Sequence, residues 1–151
     1  MHEPLTVMSL EKARSEFSKK WRPSPVKEKI PVLEAGGRVL AEDGISQLDL
    51  PSFDRASYDG FAVRAEDTFG SEEDSPILLK PVGTASAGRI TKEGIESGEC
   101  MEIATGASIP EGADAVVMVE DVTLSEDGDA EIRRAISPWE NISKQGSELK
   151  K

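Results

Sequence analysis

One cysteine and one histidine in 151 residues leave little room for thiol or imidazole chemistry. Cys100 has no partner for an internal disulfide, and His2, alone near the terminus, cannot complete a soft-metal ligand set. Zinc, iron–sulfur and cysteine–histidine catalysis are therefore set aside. Long apolar runs are missing too: nothing approaches the roughly 18 consecutive apolar residues of a membrane span. The first ten residues also lack the basic-then-apolar layout of a secretion signal. A cytoplasmic protein without membrane contact is the expectation. Positive charge is scarce, with 18 Lys and Arg against 29 Asp and Glu and a net charge of −11. Such a chain repels polyanions at long range, so nucleic acid and anionic membrane surfaces are poor partners. What remains, 37% hydrophobic and 31% charged residues, is the composition of a globular protein with one compact core or two small ones.

Two acidic clusters, Glu66, Asp67, Glu72, Glu73, Asp74 and then Glu120, Asp121, Glu126, Asp127, Asp129, Glu131, read as solvated loops or strand ends. Near the start, Ser9 suits a helix N-cap, and Leu10, Ala13, Phe17 and Trp21 recur at helical spacing before Pro23 and Pro25 stop the pattern. That stripe is a packing face. Leu33, Val39 and Leu40 can share one face of a second short helix over 32–42, although Gly36 and Gly37 weigh against it. From Ile45 onward, short valine- and isoleucine-rich runs separated by glycine, proline and acidic turns indicate strands at 60–64, 77–84, 100–104, 115–119 and 131–136. The Glu126-Asp127-Gly128-Asp129 turn predicts a hairpin over 115–136. Residues 146–151, polar throughout, read as a boundary or linker. Cys100, in a strand without an accompanying histidine, reads as a small core residue.

Three stretches could carry chemistry. The first is Leu50-Pro51-Ser52-Phe53-Asp54-Arg55-Ala56-Ser57-Tyr58-Asp59-Gly60-Phe61-Ala62-Val63. Residue types alone leave two readings open: an Asp-Gly turn starting a hairpin, or a carboxylate pair, Asp54 and Asp59, for Mg²⁺ or a substrate hydroxyl. The second is Ile103-Ala104-Thr105-Gly106-Ala107-Ser108-Ile109-Pro110-Glu111-Gly112-Ala113-Asp114. Thr105 and Ser108 offer hydroxyls, and the loop offers backbone N–H groups that could cradle an anion; an ordinary loop between strands fits equally well. The third is Asn141, Ser143, Lys144, Gln145 and Gly146, where a basic residue among amides and hydroxyls could meet a phosphate or simply belong to a linker.

Together, residues 50–63 and 104–122 closely resemble the two signature segments of the MoeA/gephyrin E-domain family. Those segments run approximately Leu-Pro-Pro-Phe-Asp-x-Ser-x-x-Asp-Gly-Tyr-Ala-Val and Thr-Gly-Ala-x-x-Pro-x-Gly-Ala-Asp-Ala-Val-Val. Gly37-Arg38-Val39-Leu40-Ala41-Glu42-Asp43, Ala85-Ser86-Ala87-Gly88, and Asn141 followed by Gly146 extend the likeness over nearly the whole chain. Ser52, Ala56 and Phe61 depart from the pattern, and Gly36 stands where a leucine is common. Arginines are frequent in the family at the stretch Ser143-Lys144-Gln145, where this chain has only Lys144 for a phosphate, a point charge without the guanidinium fork.

The resemblance implies a mainly β, α+β architecture: an N-terminal helix and an elongated first domain, residues 1–45 and 138–151, with a β-rich second domain, 46–137, inserted. It further implies a molybdopterin molybdenumtransferase, which uses Mg²⁺ to exchange the adenylate of adenylylated molybdopterin for molybdate. Such an enzyme is a homodimer that dimerises partly through the first domain. Its cleft is shared between the β domain of one subunit and the pterin-binding domain of the other. By position, Asp59 and Thr105 match catalytic residues of that cleft, with Asp59 also the metal-binding candidate. Gly106, Ser108 and Lys144 are the substrate-binding candidates. The pterin-binding and C-terminal domains are expected beyond this stretch, and the 151 residues alone are expected to be inactive. Two alternatives stay open: a non-catalytic scaffold module of the gephyrin type, or a paralogue that handles tungstate.

Overall fold

The computed structural model describes residues 7–89 and 91–151, so the expectation about His2 lies outside the described residues. The chain divides into two compact units, Met1–Gly44 and Ile45–Lys151. In the first, helix α1 spans Leu10–Lys20 and starts where the sequence indicates: the Ser9 hydroxyl accepts from the Lys12 amide at 3.3 Å. Glu11 in its first turn and Lys19 and Lys20 in its last suit the helix dipole. Phe17 and Trp21 stack at 5.6 Å, yet no residue of α1 is buried. The expected second helix does not form. A single 3₁₀ turn, Val32–Glu34, is all that remains of it, and Gly37 at φ 76° takes the left-handed backbone that ends a right-handed helix.

The second unit is a curled, mainly β structure. Its strands are β1 (Arg55–Ala56), β2 (Gly60–Val63), β3 (Ile77–Ala85), β4 (Glu99–Ile103), β5 (Ala115–Met118), β6 (Val122–Leu124), β7 (Ala130–Ile132) and β8 (Ile142–Ser143). Six of them form one sheet in the order β5-β2-β4-β3-β7-β6, and β1 pairs with β8. All pairings are antiparallel except β3 with β4, whose register shifts between Pro81 and Thr84, where proline lacks a ladder donor.

Successive residues of a strand point to opposite faces, and here both faces are packed. Phe61, Val63, Cys100, Ala115 and Val117 enter one cluster with Leu79 and Ile132. Ala62, Met101, Ile103 and Val116 enter the other with Ala56, Ala85 and Ala107. Cys100 is therefore a core residue, and burial pushes its thiol up to about 12, which removes it from nucleophilic chemistry.

Two further expectations are corrected. The turn at 125–129 forms, with Gly128 at φ 90°, but the hairpin it closes joins β6 to β7. A 3₁₀ turn at Val119–Asp121 separates β5 from β6, and β5, buried for most of its length, pairs with β2 instead. Residues 146–151 are not a free linker: Leu149 bridges Leu50, and the Lys151 amide donates to Asp49 Oδ1 at 2.9 Å. Among the described residues, no helix is long and apolar enough to cross a membrane.

Candidate functional site

The three stretches singled out in the sequence meet in the second unit. β1 lies between two neighbours. On one side it pairs with β8, Arg55 opposite Ser143 and Ala56 opposite Ile142. On the other it grips the loop after β4: the Ala56 amide donates to Ala107 O at 3.0 Å and the Gly106 amide to Ala56 O at 2.9 Å. The return segment is held in place by Asp54, whose Oδ1 accepts from the Gln145 amide at 2.7 Å. Asn141, at φ 62°, donates its side-chain amide to Val116 O at 2.8 Å, covering the outer edge of β5. Asparagine tolerates this left-handed backbone better than most residues.

Asp59 closes the turn into β2, and Thr105 opens the loop after β4. Both the Thr105 hydroxyl and the Thr105 amide donate to Asp59 Oδ1, each at 2.6 Å. The Thr105 hydroxyl, and secondly its amide, hold the Asp59 carboxyl below the usual carboxylate range, because both bonds favour the ionised form. Asp59 therefore stabilises the fold above its unfolded pKa, and this contribution is lost as pH falls through its lower folded pKa. Thr105→Val removes the larger of the two causes. It should move the Asp59 titration, followed by carboxyl-carbon NMR, up toward the ordinary value; an unmoved titration would mean that this bond is absent in solution.

Thr105 borders a groove of about 300 Å³ that is also lined by Arg55, Ala56, Ser57, Gly106 and Ser143. Asp59 lines the adjacent depression with Thr84 and Glu102. The pair is thus a shared wall between two hollows. Across the groove the Ser57 and Ser143 hydroxyls lie 3.0 Å apart, and the Arg55 guanidinium donates to Glu148 at 2.7 Å.

Other expected contacts do not assemble. The loop's backbone is not a free cradle: the amides of Thr105, Gly106, Ala107 and Ile109 are spent on Asp59, Ala56 O, Ala104 O and Asp54 O. Ser108 accepts from the Thr91 amide at 3.4 Å and does not line the groove. The Lys144 ammonium rests 4.2 Å from the centre of the Trp139 ring, outside the groove lining. Asp54 is engaged in holding residue 145, and among the described residues no three His, Cys, Asp or Glu side chains gather for a metal.

The family model for the MoeA N-terminal region, domains I and II, matches residues 8–151. The chain belongs to this family. A molybdopterin molybdenumtransferase of Haemophilus influenzae is 39% identical over 146 residues, which cover 96% of this chain and 35% of that protein. Its counterpart in Staphylococcus epidermidis is 40% identical over 117 residues, 78% of this chain and 28% of that one. The crystal structure of a molybdopterin biosynthesis MoeA protein from Pyrococcus horikoshii superposes with a TM-score of 0.74 at 44% identity, covering 82% of this chain and 32% of that chain. The chain spans about a third of the length of these relatives. Within the MoeA N-terminal region, the departures at Ala56 and Phe61 fall on nearly buried residues, 1% and 7% exposed, that border the groove and the Asp59 depression respectively. Sequence reasoning passed over Arg55 and Ser57 as groove residues. Both stand inside the first motif, but only the pairing of two-residue strands brings them to Ser143.

Proposed function

We propose that this chain supplies one wall of the active cleft of a molybdopterin molybdenumtransferase. The complete enzyme, a cytoplasmic homodimer, exchanges the adenylate of adenylylated molybdopterin for molybdate and releases AMP. The observation that carries the reading is the union of Asp59 and Thr105, 46 residues apart in the chain, on the wall between a hydroxyl-lined groove and its neighbouring depression. Asp59, exposed and ionised at neutral pH, keeps its second carboxylate oxygen free of the Thr105 bonds, which both go to Oδ1.

One hard oxygen is a fitting partial ligand for Mg²⁺, which retains several waters and is commonly completed by substrate phosphates rather than by a protein cage. When bound there, Mg²⁺ would neutralise phosphate charge and polarise a phosphoryl oxygen. That neutralisation matters in a chain of net charge −11 facing a polyanionic substrate. Thr105 fixes the orientation of Asp59 and keeps it deprotonated; of the Ser57 and Ser143 hydroxyls, paired at 3.0 Å, the one that accepts in that pair keeps its proton for a phosphate-linked oxygen in the groove. Gly106 shapes the loop rather than binding through its amide. The opposite wall comes from the pterin-binding domain of a second subunit, so the 151 residues alone do not turn over.

The test is AMP release from adenylylated molybdopterin, with molybdate and Mg²⁺, by the whole enzyme. Asp59→Asn and Thr105→Val should each lower the rate at least about tenfold, the scale of one lost charge-assisted hydrogen bond, while both variants keep the parent's circular dichroism spectrum at the assay temperature. Full activity in both variants would remove Asp59 and Thr105 from the cleft.

A further inference from the structure

We infer that Arg55 is the phosphate-binding cation of the groove, with Glu148 as the counter-ion that a bound phosphate must share or displace. This deepens the reading above and rests on it, since the ligand class is the phosphate group of a nucleotide-bearing substrate. Among the described residues, Arg55 is the one cationic residue lining the groove. Lys144, which follows the groove residue Ser143 in the chain, is placed over Trp139. With the amides of Thr105, Gly106, Ala107 and Ile109 spent on the fold, the guanidinium supplies the groove's positive charge among the described lining residues.

Its position is set by the backbone. Arg55 faces Ser143 across the β1–β8 pair and bridges Ser108 on its other side, so the side chain starts from a point clamped between two segments. The guanidinium reaches Glu148, 93 residues away, at 2.7 Å, with the two side chains 39% and 60% exposed. An ion pair so open to water contributes little to folding stability. Its effect is local. One arm of the fork is held by Glu148, and the remaining donors are left for an anion beside the Ser57 and Ser143 hydroxyls. A planar fork with hydroxyl donors around it matches the tetrahedral oxygens of a phosphate monoester.

The experiment titrates the 151-residue chain with inorganic phosphate and with AMP, following the amide NMR signals of Ala56, Ser57, Gly106 and Ser143. Arg55→Ala should weaken binding about tenfold, the scale of a lost bidentate contact, with an unchanged melting midpoint, and Arg55→Lys should fall between. Glu148→Gln should tighten binding at least about twofold by removing the competing carboxylate. Lys144→Ala should bind as the parent does. The inference is overturned if Arg55→Ala binds like the parent, if Glu148→Gln binds more weakly, or if phosphate and AMP fail to shift these four amides. Should Arg55→Ala bind normally while Asp59→Asn and Thr105→Val still abolish turnover in the whole enzyme, the Arg55 assignment falls and the cleft stands. Should Arg55→Ala lose phosphate while those two variants turn over normally, the anion site stands and the cleft chemistry falls.

Discussion

Gly60→Ala should prevent the second unit from folding stably. A Cβ at this position would run into the Val117 carbonyl oxygen and lie 3.0 Å from the Met118 Cα. Both obstacles are backbone, so no rotamer change relieves them. Nor can the strand move aside. β2 is buried along its whole length and laddered on both sides, Gly60 standing opposite Met118 of β5 and Ile103 of β4. Shifting it away from β5 breaks one ladder, and shifting it the other way compresses the second. Overpacking of this kind costs about 3 kcal/mol or more where the neighbours cannot yield, a large part of the roughly 5–15 kcal/mol that holds a domain together. The site would fail with the fold, because Asp59 precedes Gly60 directly and its carbonyl accepts the Val119 amide at 3.1 Å. Thermal melting by circular dichroism decides the matter: a midpoint within about 3 °C of the parent would show that β2 and β5 do not approach this closely.

Ile103→Ala comes next in size. Ile103 is 1% exposed and sits in the cluster with Ala56, Met101, Ala107 and Val116, beneath the segments that carry the groove. Its neighbours are mostly small side chains and backbone clamped in ladders, which have little freedom to collapse into a hole. Removing its outer carbons should therefore cost about 2–5 kcal/mol, the transfer loss plus the cavity left behind. A melting midpoint lower by about 10 °C or more is expected. A shift under about 3 °C would place Ile103 outside the core. Because Ala104 and Thr105 follow it, the variant should also broaden the Thr105 amide signal.

What the sequence revealed depended on how local the signal was. Ser9 capping α1 and the stripe from Leu10 to Trp21 are contained in one segment, so the helix was legible end to end. β2, β3, β4 and β5 fall within two residues of the expected bounds, since each is a short apolar run between turns. β1 and β8 are two residues long, too short for any periodicity to register. The 115–136 hairpin was misdrawn because a turn announces that the chain reverses without saying which strand it reverses from. In the site, Asp59 and Thr105 could each be named from their motifs. The hydrogen bonds joining them, and the loss of the loop amides to Ala56, Ala104 and Asp54, are products of packing.

Order along the chain by itself determined the mainly β class, the acidic character with its few cations, and the two motifs bearing Asp59 and Thr105. Tertiary structure alone decided that these motifs share a wall, that Arg55 and not Lys144 faces the groove, and that Glu148 answers it from 93 residues away. Composition and periodicity are read over a few neighbouring residues, whereas a binding groove is made by strand pairings that bring distant segments together, and those pairings are chosen by how the whole core packs.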